Sequence, residues 1–193
     1  MKRQSILVAV LIAFFAVWFA KANAATVLYF ESSAQSWVGQ GETVLVSDAD
    51  GYDFIARRNF DNGVSFDVDG PGYWLLNLAA PYEATLVPGL YENAARFSFQ
   101  DIDQPGLTFA GNGRLNNRNS GFFEVLEAIY TPSGDVERFA VDFTQYGEEN
   151  PNCWIHGQLR YDSDVPFIPE PATLLLLGFG AVMLRRECHL FWE

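Results

Sequence analysis

The chain has 193 residues, 49% of them hydrophobic, with 24 acidic against 12 basic side chains and a formal net charge of −12. That balance excludes nucleic acid as a partner, since such binding needs a basic surface, and it works against adsorption to anionic membranes. Only two cysteines are present, Cys153 and Cys188, so the fold does not depend on a disulfide framework.

At the N-terminus Lys2 and Arg3 precede an apolar run over residues 6–20, followed by Ala22-Asn23-Ala24. A basic start, an apolar stretch and a small-x-small site are the three parts of a secretory signal peptide. Export by the Sec machinery is expected, with signal peptidase reading Ala22 and Ala24 and cutting after Ala24. Residues 1–24 are therefore an address. Residues 25–166 make one domain, long enough to bury a core without disulfides. Between Ala25 and Ile168 stand seven arginines, no lysine and 21 carboxylates. Such a surface is well solvated and offers oxygen ligands to divalent cations.

Along this domain the pattern is β. Residues 26–30 and 43–46 are strand candidates on either side of Gly39-Gln40-Gly41. Residues 52–57 follow Asp50-Gly51, and Asn62-Gly63 marks a hairpin because both residues tolerate positive φ. Val64 and Phe66 alternate with Ser65 and Asp67, and Asp69-Gly70-Pro71-Gly72 turns the chain into residues 73–78. Phe97 and Phe99 alternate with polar neighbours and predict a further strand, as do Leu107 and Phe109.

Residues 122–130 fit a strand and also a 3.6-residue period, since Phe122, Val125, Leu126 and Ile129 share a helical face. The strand is preferred because Thr131-Pro132-Ser133-Gly134-Asp135 reads as a hairpin turn into residues 136–146. There Phe139, Val141 and Phe143 lie on one face with Asp142 opposite. Residues 154–161 supply a last strand. Short strands, period-2 patterning and Gly/Asn/Asp turns predict an all-β fold, an antiparallel β-sandwich or jelly-roll-like domain.

Candidate binding residues follow from side-chain chemistry. Asp48, Asp50 and Asp53 surround a glycine turn and could hold Ca²⁺, although the spacing is not that of an EF-hand and Asp-Gly also suits an ordinary turn. Trp37, Trp74 and Trp154 could stack on sugar rings or pack in the core. The loop 112–119, rich in Asn and Arg, reads as a solvated turn or the polar rim of a binding face. Cys153, after a turn, reads as a small filler. His156 is the one histidine of the domain. It reads as a solvent-facing strand residue, with no nucleophile elbow to serve and no second histidine for zinc. Carboxylate pairs can hydrolyse glycosides, but 21 carboxylates nominate no pair. A non-enzymatic domain without a required cofactor is expected.

The C-terminus carries the sharpest motif. Pro169-Glu170-Pro171 is followed by an uncharged apolar run over residues 172–184, then by Arg185-Arg186. The prolines hold Glu170 out of a helix and leave an extended, accessible stretch. The run is apolar on every side, reaches roughly 20 Å as a helix, and ends on a basic stop. This triple arrangement resembles the C-terminal signal of the PEP-CTERM proteins of Gram-negative bacteria, with Pro169, Glu170, Pro171, Arg185 and Arg186 as the matching residues. Family chains usually end near the basic cluster, whereas residues 187–193 continue beyond it here.

The resemblance implies that residues 167–193 form a sorting signal, inserted transiently in the inner membrane through a short transmembrane helix and processed by an exosortase. The destination it implies is the cell surface or extracellular matrix. Within the domain, residues 36–41, 60–66 and 142–146 are similar to stretches of uncharacterised PEP-CTERM domain proteins and bring no catalytic residues with them. The expected role is a structural or adhesive component of an exopolysaccharide matrix or biofilm. A polysaccharide-binding module is the alternative, and a secreted glycan-active enzyme the third reading. A sugar-binding module would expose its tryptophans in a row, and an enzyme would hold two facing carboxylates in a cleft.

Overall fold

The computed structural model describes residues 24–167, so the tail motif, the apolar run and most of the N-terminal segment lie outside the described residues. Ten strands form one curled sheet: β1 (Ala25–Ser32), β2 (Thr43–Ser47), β3 (Asp53–Arg58), β4 (Val64–Asp69), β5 (Tyr73–Ala79), β6 (Gly89–Arg96), β7 (Gly106–Gly111), β8 (Asn119–Tyr130), β9 (Val136–Gly147) and β10 (Trp154–Ser163). Their order across the sheet is β2-β1-β10-β9-β8-β6-β7-β5-β4-β3. No helix among the described residues is long and apolar enough to cross a membrane.

The all-β expectation is met, and the hairpin turns fall where the small and polar residues put them. Asn62 (φ 55°) turns β3 into β4, and Gly134 (φ 91°) turns β8 into β9. Residues 122–130 are strand, because Phe123 and Val125 go inward while Phe122 and Glu124 go outward. A helix would have buried Phe122 as well.

Two expectations are corrected. Phe97 and Phe99 do not form a strand: β6 ends at Arg96, and the Phe99 N–H donates to the Arg96 carbonyl in a turn (2.7 Å). Their alternation comes from packing over neighbouring loops, Phe97 against Phe60 (5.3 Å between rings) and Phe99 under the Arg96 guanidinium. Nor is the sheet purely antiparallel. β6 pairs antiparallel with β8 but meets β7 in parallel, at Ala95 and Arg96 alone.

That short parallel contact is where the sheet turns over. The two arms then face each other across an aromatic core. Phe30 of β1 packs edge-on against Trp74 of β5 and Phe109 of β7, at 4.6 and 5.1 Å. Phe109 in turn meets Phe143 of β9, and Phe66 of β4 meets Phe139 of β9 and Tyr161 of β10. Burying each such ring contributes about 1.5–3 kcal/mol. A Cβ at position 111 would come within 1.9 Å of the Trp74 ring, so glycine there lets the indole lie flat on β7.

β7 has an unusual second edge. Beyond its two residues paired with β6, backbone groups of β7 face the opposite arm, where no strand adjoins them. Gln145 of β9 supplies the missing partner. Its side-chain oxygen accepts from the Phe109 N–H (2.7 Å), and its amide nitrogen donates to the Phe109 carbonyl (2.9 Å). Asn119 donates to the Leu107 carbonyl (2.6 Å) and to the Gln145 oxygen (3.2 Å). Both amides are buried, so the supposedly solvated stretch 112–119 ends inside the protein. An unpaired backbone group there would cost about 1–3 kcal/mol.

The two ends of the domain are neighbours. Ala25 at the start of β1 pairs with Ser163 at the end of β10. Beyond Ser163 the chain folds back over the outer face, where Arg160 is only 2% exposed although its strand phase points outward. Arg160 donates to the carbonyls of Val141 (3.0 Å) and Pro166 (3.4 Å) and lies 2.8 Å from Asp142. Phe167 packs edge-on against Tyr29, and Arg138 holds Asp164 at 2.7 Å.

Candidate functional site

The three tryptophans do not form a row. Trp74 is a core residue, 3% exposed, stacked on Phe109 with an interplanar angle of 4°. No sugar ring reaches it, which removes it from the candidate binding residues. Trp37 is 59% exposed in the turn-rich segment between β1 and β2. That segment is tied to the start of β10, because the Ser33 N–H donates to the Trp154 carbonyl (3.0 Å). Trp154 is half-buried and stacks on His156 at 4.6 Å. His156 lies on the outer face of β10 as expected, with Nδ1 2.8 Å from the Thr144 hydroxyl. Cys153 is half-buried and carries a free thiol.

The aspartates proposed for Ca²⁺ are used locally. Asp50 accepts from the Ser47 N–H (3.0 Å) and hydroxyl (2.6 Å), Asp48 accepts from the Ala49 N–H (2.9 Å), and Gly51 closes the 3₁₀ turn at φ 82°. Asp53 stands at the start of β3 opposite Asp69. Among the described residues no group of three His, Cys, Asp or Glu side chains is placed to hold a metal.

What the fold does assemble is a track on the outer side of β9, β8 and β6, where the sheet turns over. Its first part is a depression of about 590 Å³ with Phe122 and Tyr146 among its lining aromatics and Glu92 and Glu149 among its carboxylates. β8 contributes Phe122, which is 42% exposed, from the phase opposite to buried Phe123. β9 contributes Tyr146, the outward neighbour of the Gln145 clamp. β6 contributes Glu92 and Asn93, and here the local backbone matters. A bulge between Tyr91 and Ala94 breaks the strand alternation, with Asn93 at φ 56°. Both side chains are consequently exposed and both line the depression. Bulges commonly re-aim side chains in this way.

Glu149 sits in the turn after β9, where Glu148 and Glu149 both take left-handed backbone (φ 52° and 57°). Glu148 stabilises that turn by accepting from the Asn117 N–H (2.7 Å). Glu149 lies 3.7 Å from Arg118, both side chains being largely solvated, so this ion pair is weak.

Gln104 lines the first depression and also a second, of about 210 Å³. The second is edged by Phe60 and Ile102, 74% and 62% exposed, with Asp61, Glu83 and Asp101 beside them. Gln100 donates to Asp61 (2.7 Å) and fixes that wall. Among the described residues no Lys, Arg or His lines either depression. A third hollow, about 510 Å³, lies next to Phe122 on the far side of the Phe122–Thr144 row and includes Tyr29, Glu31, Asp142 and His156.

Aromatic faces, carboxylates and amides over a strand floor can stack on and hydrogen-bond polyhydroxylated rings. Sequence reasoning missed Glu92, Asn93, Gln104, Phe122, Tyr146 and Glu149 as site residues. The one available signal was an aromatic at the polar phase of a strand, Phe122 before Phe123 and Tyr146 after Gln145. No family description matches this chain, and neither curated proteins nor solved structures give a significant match.

Proposed function

We propose that the chain is an exported protein of a Gram-negative bacterium, sorted through its PEP-CTERM-like tail and processed by an exosortase. Its β domain then serves at the cell surface or in the extracellular matrix as a structural or adhesive component of exopolysaccharide or biofilm. The observation that carries this reading is where the strands stop. Among the described residues every strand lies within residues 25–163, and Ala25 pairs with Ser163. A cut after Ala24, or one at Pro169 to Pro171, leaves every described strand and core residue in one piece. Both addresses are therefore detachable without unfolding the cargo.

In this reading the curled sheet is a variant of the β-sandwich that many surface domains use. Residues 172–184 insert transiently in the inner membrane, and Arg185 and Arg186 stay on its cytoplasmic side. The domain works by adhesion and not by catalysis. The test is co-fractionation: the protein should sediment with washed exopolysaccharide and be released when the polymer is digested. A protein that remains in the soluble medium in both cases contradicts the matrix role.

The second reading, a polysaccharide-binding module, is favoured by the track itself, which joins two depressions through Gln104. It departs from the expected tryptophan row, since Phe122, Tyr146 and Phe60 provide the aromatic surfaces. The two readings are compatible, because a module that grips polymer is one way to be adhesive.

A further inference from the structure

We infer that the track takes a polysaccharide bearing ammonium groups, an amino-sugar polymer with free amines; this rests on the polysaccharide-binding reading above. The charge of the lining carries the argument. Glu92 and Glu149 line the first depression, Asp61, Glu83 and Asp101 the second, and among the described residues no cationic side chain lines either. A polymer of uronate, sulfate or phosphate would meet repulsion from five carboxylates, of which only Glu149 has an arginine, Arg118 at 3.7 Å, paired with it. A neutral polymer would offer the carboxylates hydroxyl donors but no opposite charge. An ammonium group on a sugar ring satisfies them directly, with the charge-assisted hydrogen bonds that carboxylates form with cationic N–H donors.

The surrounding residues suit the rest of such a polymer. Phe122 and Tyr146 offer faces to pyranose C–H groups, while Asn93 and Gln104 can both donate to and accept from ring hydroxyls. The bulge at Glu92 and Asn93 places a carboxylate and an amide side by side at the edge of this aromatic floor, where regular alternation would have sent one of them inward. Gln104, common to both depressions, lets one chain run from Glu149 to Phe60.

The experiment is a titration of the full chain in mild detergent with three probes: de-N-acetylated β-linked glucosamine oligomers, the same oligomers N-acetylated, and oligogalacturonate. Free-amine oligomers are expected to bind at least about tenfold more tightly than acetylated ones, roughly the worth of one charged pair. Their binding should weaken as salt rises, and oligogalacturonate should not bind. Glu92→Gln combined with Glu149→Gln should reduce free-amine binding about tenfold and narrow the preference over acetylated oligomers to the part owed to Asp61, Glu83 and Asp101. Phe122→Ala should weaken both glucosamine probes while preserving the preference.

Acetylated oligomers binding as tightly as free amines would overturn the ammonium assignment and leave the polysaccharide-binding reading in place. An unchanged preference in the double variant would also overturn it, since the attraction would then belong to the net charge of the domain. Failure of all three probes to bind would remove the inference and the binding reading together. Export and tail processing are measured separately and do not depend on either result.

Discussion

The inner and outer faces of β8 and β9 are built from alternate residues of the same two strands. Inward stand Phe123, Val125, Phe139, Val141, Phe143 and Gln145, all under 10% exposed. Outward stand Phe122, Glu124, Asp142, Thr144 and Tyr146; Phe122 and Tyr146 line the track, and Asp142 and Thr144 line the neighbouring hollow. The inner face is fixed by contacts to the other arm, through Phe109 and Phe66. The outer face is covered by the segment after Ser163 near Arg160, and around Phe122 it is left open and shaped by turns and a bulge. Stability and recognition are thus separated by strand phase, and substitutions one residue apart should report on different properties.

The largest effect is expected on the inner face. Phe109→Ala removes the ring that touches Phe30, Trp74 and Phe143, and should cost about 4 kcal/mol in urea unfolding. Gln145→Leu keeps the volume but leaves the Phe109 N–H and carbonyl without partners, and should cost about 3 kcal/mol. If Gln145→Leu proves neutral, the side-chain clamp is not what completes the edge of β7.

A smaller effect belongs to the outer surface of the other arm. Tyr73 donates its hydroxyl to Asp67 (2.7 Å), and this hydrogen bond, aided by burial, pushes the phenol up to about 12. A folded-state value above the unfolded one means that the folded chain holds the proton longer. The stabilisation is fully present below about pH 10 and is lost as pH rises towards 12. Because Tyr73 is 41% exposed, screening limits the contribution to under about 1 kcal/mol. Tyr73→Phe should flatten the pH dependence of unfolding across that window. The smallest effect is expected from Phe122→Ala, one residue from the core, which should change stability by less than about 0.5 kcal/mol. A cost of several kcal/mol there would show that the outer face also holds the fold.

The same division decides what could be read from the sequence. Inward residues of β4, β8, β9 and β10 announce themselves through period-2 alternation, and Asn62-Gly63 and Gly134 mark their turns by conformational need. β6 carries no such signal. Its sequence Gly-Leu-Tyr-Glu-Asn-Ala-Ala-Arg mixes weak strand formers with a bulge, and its place in the sheet comes from β8 alongside it. Phe97 and Phe99 gave a false signal because loop aromatics that pack on Phe60 and Arg96 mimic alternation over three residues. Gln145 was invisible for a different reason. Standing in for a strand is a tertiary property, and an amide at an inward position gives no hint of which carbonyl awaits it. Trp37 and Trp74 likewise differ only in what the other arm and Gly111 bring to them. The track, assembled from three strands and four connecting segments, had no linear pattern to find.

The central claim is a self-sufficient β domain between two removable addresses, and the most direct test is the intact mass of the protein recovered outside the cell, with and without the exosortase. The account predicts a chain beginning at Ala25 and ending near Pro169 to Pro171 when the enzyme is present, and no such species when it is absent. A mass that retains Arg185 to Glu193 in both strains would contradict it.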